Sequence, residues 1–354
     1  MTRARVNRVL VVQTAFIGDV ILTLPLVEQA HDFFRPADVD MVVVPRAADV
    51  CRNHPDLHDL VIYDKRGADR GVRGFIKLIR LLRSRQYDLA LVPHRSLRSA
   101  LLVALSGIPL RVGFRTLAGR LFFTRSIPRR SDLHEAERNL SLLAGVGIRD
   151  VPLSLPHVHP SSQDEEQVRR FLSTIGVQDN TPVAAIAPGT VWNTKRWPHE
   201  RYVALAGLMA QAGFHVLIIG GPEDEELSRQ IAELGDNPRV HSVAGPLSLL
   251  QSAEVIRRSR ILVANDSAPV HLAVAVGTPV VAIFGATIPA FGFAPYGPHD
   301  SIVEVRGLSC RPCSAHGGDN CPIKTFECML TITPERVWNR VQDVMRKAEK
   351  SGQN

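Results

Sequence analysis

Residues 261–285 contain an apolar run, a polar turn, a small-residue helix pattern and a second apolar run in direct succession. The first run is Ile261-Leu262-Val263-Ala264, the turn opens with Asn265-Asp266-Ser267, and the second run extends over 279–285. This order predicts a strand, a turn, a helix and a second strand. Because parallel strands joined by helices are covered on both faces, the stretch favours an α/β fold with a parallel sheet.

The same alternation runs through the rest of the chain. Strands are predicted at 9–12, 40–44, 60–63, 88–92, 183–187, 215–220 and 240–243, and helices at 19–34, 75–84, 96–105, 134–145, 200–212, 225–234 and 247–258. Residues 150–160 carry three prolines and little periodicity, which is typical of a linker. The pattern predicts two doubly wound, Rossmann-like domains, 1–160 and 161–333, facing a cleft, followed by a C-terminal helix, 334–354.

Composition limits the classes of protein to consider. Of the 354 residues, 45% are hydrophobic and 22% charged, which is globular and not disordered composition. The apolar runs are too short to span a bilayer, and no signal-peptide pattern is recognisable, so a cytoplasmic location is expected.

The net charge of +7 is concentrated in the first half, notably at 66–85 and 95–130. Aromatic residues make up only 6% and no recognition motif stands out, so nucleic acid is not expected as a partner. An anionic lipid or a phosphorylated glycan fits better, and a merely solvated basic face is an equal alternative.

The turn at Asp266 and Ser267 is the first candidate site. It lies where a helix begins, and free backbone N–H groups and the positive end of the helix dipole are found there. Such a turn holds a phosphate on N–H groups and a sugar hydroxyl on a carboxylate. It therefore favours a nucleotide-sugar site over a dinucleotide site.

A second candidate loop follows the first strand and contains Gly18 and Asp19. Gly18 permits a tight turn or a close approach to a ligand. Asp19 is a candidate general base for an acceptor hydroxyl. An acid that only stabilises the first turn of a helix explains the same pattern.

A third loop, 187–198, lies between a strand and a helix. Gly189, Thr190 and Thr194 offer backbone and hydroxyl donors, and Lys195 is a mobile cation suited to a diphosphate. An ordinary loop with solvated basic residues is the alternative. After a later strand, Gly220-Gly221 is followed by the acids Glu223, Asp224 and Glu225, which suit either a ribose diol or helix stabilisation alone.

Four cysteines lie close together near the C-terminal end, at Cys310, Cys313, Cys321 and Cys328. Their number suits a tetrahedral structural zinc site, with His316 as a spare ligand, and reduced thiols without metal are an equal alternative. Gly-x-Gly-x-x-Gly does not follow the first strand and no P-loop motif is present, which disfavours a nicotinamide dehydrogenase and a P-loop enzyme.

In combination, these loops resemble glycosyltransferase family 9, the bacterial heptosyltransferases. The matching segments are Ile17-Gly18-Asp19 with Thr23-x-Pro25, Pro188-Gly189 through Lys195-Arg196-Trp197-Pro198, Asn265-Asp266-Ser267 through His271, Phe284-Gly285-Ala286-Thr287, and the cysteine-rich 310–329. The Lys-Arg-Trp-Pro loop and the cysteine-rich tail are most similar to the lipopolysaccharide heptosyltransferase II group.

The resemblance implies a GT-B fold with an N-terminal acceptor domain, a C-terminal nucleotide-sugar domain and a last helix that crosses back to the first domain. It implies inverting transfer of heptose from ADP-L-glycero-β-D-manno-heptose to heptosyl-Kdo2-lipid A, without a metal in the mechanism. The lipid acceptor implies peripheral contact with the cytoplasmic face of the inner membrane. A related enzyme using another nucleotide sugar, or a non-catalytic nucleotide- or zinc-binding module, is the competing interpretation.

The resemblance also implies roles for individual residues. Asp19 would be the base, and Lys195 would stabilise the leaving diphosphate. Further donor contacts would come from Gly189, Thr190, Thr194, Glu225, Leu247 at the adenine, Asp266, Ser267, Ala268 and His271. Acceptor contacts would come from Gly18, Arg95, Arg98 and His134. The sequence departs from the family pattern at Gln13 and at Ala268-Pro269. These departures bear on the identity of the donor and the acceptor more than on the fold.

Overall fold

The computed structural model describes residues 6–351 and divides the chain into two compact units at His159 and Pro160. This division lies one residue before the predicted domain boundary, inside the proline-containing segment, which has no regular secondary structure. The basic stretch 1–5 and residues 352–354, which belong to the predicted first domain and last helix, lie outside the described residues.

The first unit alternates strands and helices. Its strands are β1 (Arg8–Val12), β2 (Asp38–Val43), β3 (Asp59–Ile62), β4 (Leu89–Val92), β5 (Leu110–Phe114) and β6 (Arg125–Ile127). Its helices are α1 (Ile17–Ile21), α2 (Leu24–Phe34), α3 (Pro45–Ala48), α4 (Gly71–Ser84), α5 (Leu97–Leu105), α6 (Leu117–Phe122) and α7 (Glu135–Leu140).

The strands form one parallel sheet in the order β3-β2-β1-β4-β5-β6. Strand β1 is central and is covered by helices, so that Val9 to Val12 are fully buried. The order reverses between β1 and β4. In doubly wound sheets, ligands bind beyond the carboxyl ends of the strands at this switch point.

The second unit has the same plan. Its strands are β7 (Val183–Ala187), β8 (His215–Ile218), β9 (Val240–Ser242), β10 (Leu262–Asn265), β11 (Val280–Phe284) and β12 (Ser301–Glu304). Its helices are α8 (Ser162–Thr174), α9 (His199–Gln211), α10 (Glu225–Gly235), α11 (Leu249–Arg258), α12 (Ala268–Val276), α13 (Glu327–Leu330) and α14 (Pro334–Ser351).

The second sheet is also parallel, in the order β12-β11-β10-β7-β8-β9. Numbered from its own first strand, this is the topology of the first sheet, and its switch point lies between β7 and β10. The predicted fold class, two doubly wound α/β units, is confirmed. None of the helices within residues 6–351 has the length and apolar character that a bilayer crossing requires.

Three predicted helices differ from the structure. The helix expected at 19–34 is divided into α1 and α2, because Pro25 lies in the first turn of a new helix, where its missing N–H costs nothing. The helix expected at 134–145 is α7 followed by a 3₁₀ turn, Ser141–Val146. Helix α4 begins at Gly71, before the predicted start at residue 75, and buries Leu78 and Leu82 while Leu81 is exposed.

The C-terminal helix, α14, begins at Pro334, its predicted start. Helix α14 packs against α9, β11 and β12 of the second unit. Val337, Val341 and Val344 place one side of it in the core of that unit, at an i, i+4, i+7 spacing. The apolar face of α14 therefore belongs to the core of the second unit, and its crossing back to the first domain stays a prediction.

Candidate active site

A buried ion pair lies at the switch point of the second sheet. Lys195 ends a 3₁₀ turn, Asn193–Lys195, in the loop after β7, and Asp266 directly follows β10. Lys195 Nζ lies 2.7 Å from Asp266 Oδ2, and the two side chains are only 13% and 8% exposed. The topology thus brings together two residues that are seventy-one positions apart in the sequence, both of which the sequence singled out.

A third neighbouring strand contributes to the same cluster. Thr287, in the loop after β11, donates its hydroxyl to Asp266 Oδ2 at 2.6 Å, and both groups are buried. The carboxylate of Asp266 is therefore held from two sides. An ammonium group has three donors, so Lys195 keeps hydrogen-bonding capacity beyond this pair. Thr287 lies inside a recognised motif, but no role was predicted for it.

Asn265 fixes the relative position of the two loops. Its Oδ1 accepts from the Trp197 N–H at 3.1 Å, and its Nδ2 donates to the Pro188 carbonyl at 2.7 Å. The side chain is fully buried. Buried polar groups with both functions satisfied hold loops rigidly, so Asn265 positions the loop of Lys195 against that of Asp266.

The start of helix α12 lies beside this pair. Ser267 is its N-cap residue but makes no side-chain cap bond, and its hydroxyl instead donates to the Gly189 carbonyl at 3.3 Å. Ala268 and Pro269 form the first turn, and His271 is buried behind them. The backbone donors of a first turn and the dipole favour an anion here, although Pro269 removes one donor.

The acids after β8 lie next to two glycines. A Cβ on Gly189 would come within 2.2 Å of Asp224 Oδ1, so only glycine allows this approach. Burial raises the pKa of Asp224, while the Gly221 N–H, which donates to it at 3.2 Å, opposes the rise. The exposed Glu225 instead lies beside Gly245, two residues before Leu247. Glu225 and Leu247 are thus near each other, and their roles toward a nucleotide stay predictions.

The structure gives Thr194 a structural role, and its predicted phosphate contact stays a prediction. Its N–H donates to the Gly318 carbonyl at 2.9 Å, and its hydroxyl accepts from the Gly318 N–H at 2.8 Å. With the residue 3% exposed, this pair of bonds anchors the cysteine-rich segment to the Lys195 loop. Thr190 remains at the surface of the loop, where its carbonyl accepts from Arg196 at 2.9 Å.

Gly317 lies directly against Lys195. Its φ of +90° belongs to the left-handed region, and an added Cβ would lie 3.0 Å from both Cγ and Cδ of Lys195. A side chain at this position therefore displaces the lysine and strains the backbone. The neighbouring Gly318 has no atom within 4 Å of its Cβ position and a φ outside that region.

These two glycines allow a matched comparison. We expect Gly317→Ala to lower turnover by about tenfold or more, because a displacement of a catalytic group by about 1 Å costs up to about 10²-fold. Gly318→Ala should retain the turnover of the wild type, since its backbone bonds to Thr194 are unaffected. Steady-state rates of both variants test this. Equal rates would show that the contact does not position Lys195.

In the first unit, Asp19 lies in the first turn of α1, after the loop that follows β1. Its Oδ2 accepts from the Phe16 N–H at 3.2 Å, so the helix-stabilising interpretation holds. Burial, and next the charge of Glu135, raise the pKa of Asp19 to about 6. An acid whose pKa is near neutrality is suited to accept a proton at physiological pH. The two interpretations are therefore compatible.

Glu135 begins helix α7 and was not singled out in the sequence. Its Oε2 accepts from Arg129 at 2.7 Å and from Arg138 at 2.8 Å, and Arg138 is 1% exposed. Arg138 also donates to the carbonyls of Arg130 and Ser131. This charged cluster sets the potential around Asp19. The signal that could have found it is the spacing His134-Glu135-x-x-Arg138.

Two further residues connect α7 to the helix of Asp19. Asn139 donates to the Leu22 carbonyl at 3.0 Å, and Thr23 donates to the Asp19 carbonyl at 2.7 Å. His134 is the N-cap of α7, with Nδ1 accepting from the Ala136 N–H at 3.3 Å. The structure thus gives His134 a capping role, and its predicted acceptor contact stays a prediction.

The other predicted acceptor residues lie near the start of α5. Arg95 is exposed, whereas the guanidinium of Arg98 lies over the rings of Tyr63 and Phe75 at 5.2 and 5.1 Å. Arg98 is therefore held in place by cation–π contacts. The neighbouring His94 was not singled out in the sequence. Burial, and next the charge of Lys65, lower the pKa of His94 to about 4, so its ring is neutral at physiological pH.

The cysteine-rich segment does not show the predicted zinc geometry. Cys310, Cys313, Cys321 and Cys328 are all free, and among residues 6–351 no group of three or more His, Cys, Asp and Glu side chains is placed to hold a metal ion. Cys328 lies in the hydrophobic core, and burial raises its pKa. A structural zinc ion stays a prediction that this geometry does not support.

Comparison with known proteins decides the family. A model described as glycosyltransferase family 9 (heptosyltransferase) matches residues 75–322. The chain belongs to glycosyltransferase family 9. The match includes Lys195, Asp266 and Glu135 and begins after Asp19.

Two such relatives are similar along nearly the whole chain. Lipopolysaccharide heptosyltransferase 2 of Escherichia coli K12 is 26% identical, with 97% of this chain and 99% of the relative covered. Lipopolysaccharide heptosyltransferase 1 of Pseudomonas aeruginosa is 29% identical, with the same coverage of 97% and 99%. The chain is therefore a glycosyltransferase, and similarity to both types leaves the acceptor step to experiment.

A solved structure shows the same fold. The E. coli ADP-heptose lps heptosyltransferase II superimposes with a TM-score of 0.79 at 22% identity, covering 97% of this chain and 99% of that one. The GT-B fold implied by the sequence motifs is confirmed.

Proposed function

We propose that this family 9 glycosyltransferase transfers heptose from ADP-L-glycero-β-D-manno-heptose to the lipopolysaccharide inner core, with heptosyl-Kdo2-lipid A as acceptor and inversion at the anomeric carbon. The Lys195–Asp266 pair at the sheet switch point carries the proposal. The description of this family names heptosyl transfer. The pair supplies one cation and one carboxylate that can bind hydroxyl groups, beside the N-terminus of helix α12.

The donor end of the reaction follows from these groups. The bond between the anomeric carbon and the diphosphate oxygen breaks, and ADP leaves with the electron pair. Lys195 stabilises the negative charge that develops on this oxygen, and the first turn of α12 adds backbone donors. Asp266, already oriented by Thr287, accepts hydrogen bonds from heptose hydroxyls.

The acceptor end needs a base. As the acceptor oxygen bonds to the anomeric carbon, its proton passes to Asp19. The carboxylate form predominates above a pKa of about 6 and therefore at physiological pH. Attack from the face opposite to the leaving ADP gives the inverted product. No metal ion takes part in this proposal, because Lys195 provides the positive charge.

The charge of Glu135 provides a test of the base. Removing this charge in Glu135→Gln lowers the pKa of Asp19, since Glu135 raises it in the wild type. Activity is lost as pH falls through that pKa, because the base becomes protonated. We therefore expect the acid limb of the kcat/KM profile to begin near pH 6 in the wild type and at lower pH in the variant.

The pH profile of each enzyme should be recorded at temperatures well below its Tm, because the substitution also removes the partner of two arginines. Asp132→Asn, an exposed acid paired with Arg130, is the matched control and should leave the limb unchanged. An acid limb at the same pH in wild type and Glu135→Gln would show that Asp19 is not the titrating base.

The proposal also covers where in the cell the enzyme works. We infer a cytoplasmic enzyme in peripheral contact with the inner membrane, because its acceptor is an anionic lipid. The proposal includes no nucleic-acid partner.

The central experiment measures ADP release from ADP-heptose with and without heptosyl-Kdo2-lipid A, and the anomeric configuration of the product by NMR. Acceptor-dependent release with an inverted product would support the proposal. Saturation by a UDP-sugar with indifference to ADP-heptose would favour a related enzyme with another donor. Donor binding without turnover on any core acceptor would contradict the acceptor assignment.

A further inference from the structure

The positive charge of the protein is concentrated in one segment of the first unit. Residues 71–127 hold eleven lysines and arginines and a single acid, Asp88, whereas the whole chain has 42 basic and 35 acidic residues. The remainder of the chain therefore carries net negative charge. The carboxylate of Asp88 accepts from the N–H groups of Asn7 and Arg8, and its single negative charge offsets one of the eleven positive charges.

Helices α4, α5 and α6 form this segment's surface, and α5 packs against both of the others. Eight of the basic side chains are exposed: Arg73, Lys77, Arg80, Arg83, Arg95, Arg115, Arg120 and Arg125. Within residues 6–351, none of Arg115, Arg120 and Arg125 forms an ion pair with a carboxylate. Such unpaired arginines have no partner within the fold to neutralise them.

The same surface carries exposed apolar side chains. Leu117 and Leu121 are 85% and 77% exposed, although they lie one turn apart on the same side of α6. Others are Val72, Ile76, Leu81, Leu97 and Leu105. Several large apolar side chains on neighbouring helices mark a binding surface, unlike single exposed residues.

We propose that this surface, the α4–α6 face, docks on an anionic lipid bilayer. Leucines penetrate the interface between headgroups and acyl chains, and arginines around them contact phosphates. The combination fits a bilayer better than nucleic acid, since leucines add no binding to a phosphate backbone. The inference rests on the proposed function, because the acceptor there is an anionic lipid held in a membrane.

Vesicle flotation tests the docking with the full-length protein. We expect binding to vesicles of phosphatidylcholine with an equal part of phosphatidylglycerol, and little binding to phosphatidylcholine alone. Leu117→Ser with Leu121→Ser should weaken binding by about tenfold or more. Arg115→Gln with Arg120→Gln should weaken it by a similar factor, since each charge near an anionic surface contributes about fivefold.

The control is Leu234→Ser, which removes a 62% exposed leucine from α10 in the second unit and should leave binding unchanged. The leucine and arginine variants of the α4–α6 face should keep wild-type turnover on a deacylated, water-soluble acceptor and lose it on acceptor embedded in vesicles, whereas Leu234→Ser should keep wild-type turnover on both. That pair of assays separates the two proposals: failure of transfer on both acceptors contradicts the function, whereas equal vesicle binding by all variants overturns only the docking face.

Two other binding partners of the α4–α6 face would overturn the proposal. Binding to duplex DNA that is lost in the arginine variants, without vesicle binding, would identify a nucleic-acid surface. A dimer in solution that dissociates in the leucine variant, again without vesicle binding, would identify an interface between copies of the chain.

Discussion

Asp19→Asn is expected to lower kcat by about 10²–10⁴-fold, the usual contribution of a general base. Asparagine has almost the same shape and can still accept a hydrogen bond from the Phe16 N–H, so α1 keeps its cap. It cannot take a proton from the acceptor. The Kd for ADP-heptose should be unchanged, because all the proposed donor contacts belong to the second unit.

The variant removes a partly buried carboxylate, and it is chiefly burial that raises the pKa of this carboxylate to about 6. Its fold should therefore be as stable as that of the wild type or more stable at neutral pH, which thermal unfolding can show. Asp32→Asn, in an exposed ion pair of α2, is the matched control and should keep full activity. Near-normal turnover in Asp19→Asn would refute the assignment of the base.

The predictable part of this site consists of residues next to buried strands. Short apolar runs such as those of β1, β7 and β10 are too apolar for the surface, so they define buried strands, and the loop that follows each run lies at the carboxyl edge of the sheet. Asp19, Lys195 and Asp266 were found in this way. Lys195 and Asp266 lie close together because β7 and β10, the strands that precede them, are neighbours in the sheet.

The unpredicted part consists of contacts between distant segments that have no pattern of their own. The bonds that join Thr194 to Gly318 were not predicted, because Gly318 lies in a loop that periodicity does not describe. Glu135 looked like an ordinary first-turn acid, and only the folded structure places its charge near Asp19. Helix α14 was placed by analogy, whereas three valines determine where it packs.

Lys195→Met is expected to lower kcat by about 10²–10³-fold, the usual cost of losing one group that stabilises developing charge. Methionine keeps much of the packing against Gly317 but carries no charge to stabilise the leaving diphosphate. Lys195→Arg should be only partly active, since the planar guanidinium is larger and Gly317 restricts the space around the side chain. Single-turnover rates with saturating donor measure the effect on chemistry.

A loss of stability must be separated from this effect, because Lys195→Met leaves the nearly buried Asp266, which Thr287 also contacts, without its charged partner. Breaking such a pair costs about 3–5 kcal/mol, whereas replacing both members by neutral groups costs much less. The double variant Lys195→Met with Asp266→Asn should therefore recover stability without recovering turnover. Lys347→Met, an exposed lysine of α14, should match the wild type in both. If turnover recovered together with stability, Lys195 would only hold the fold. Another group would then have to stabilise the charge on the leaving diphosphate.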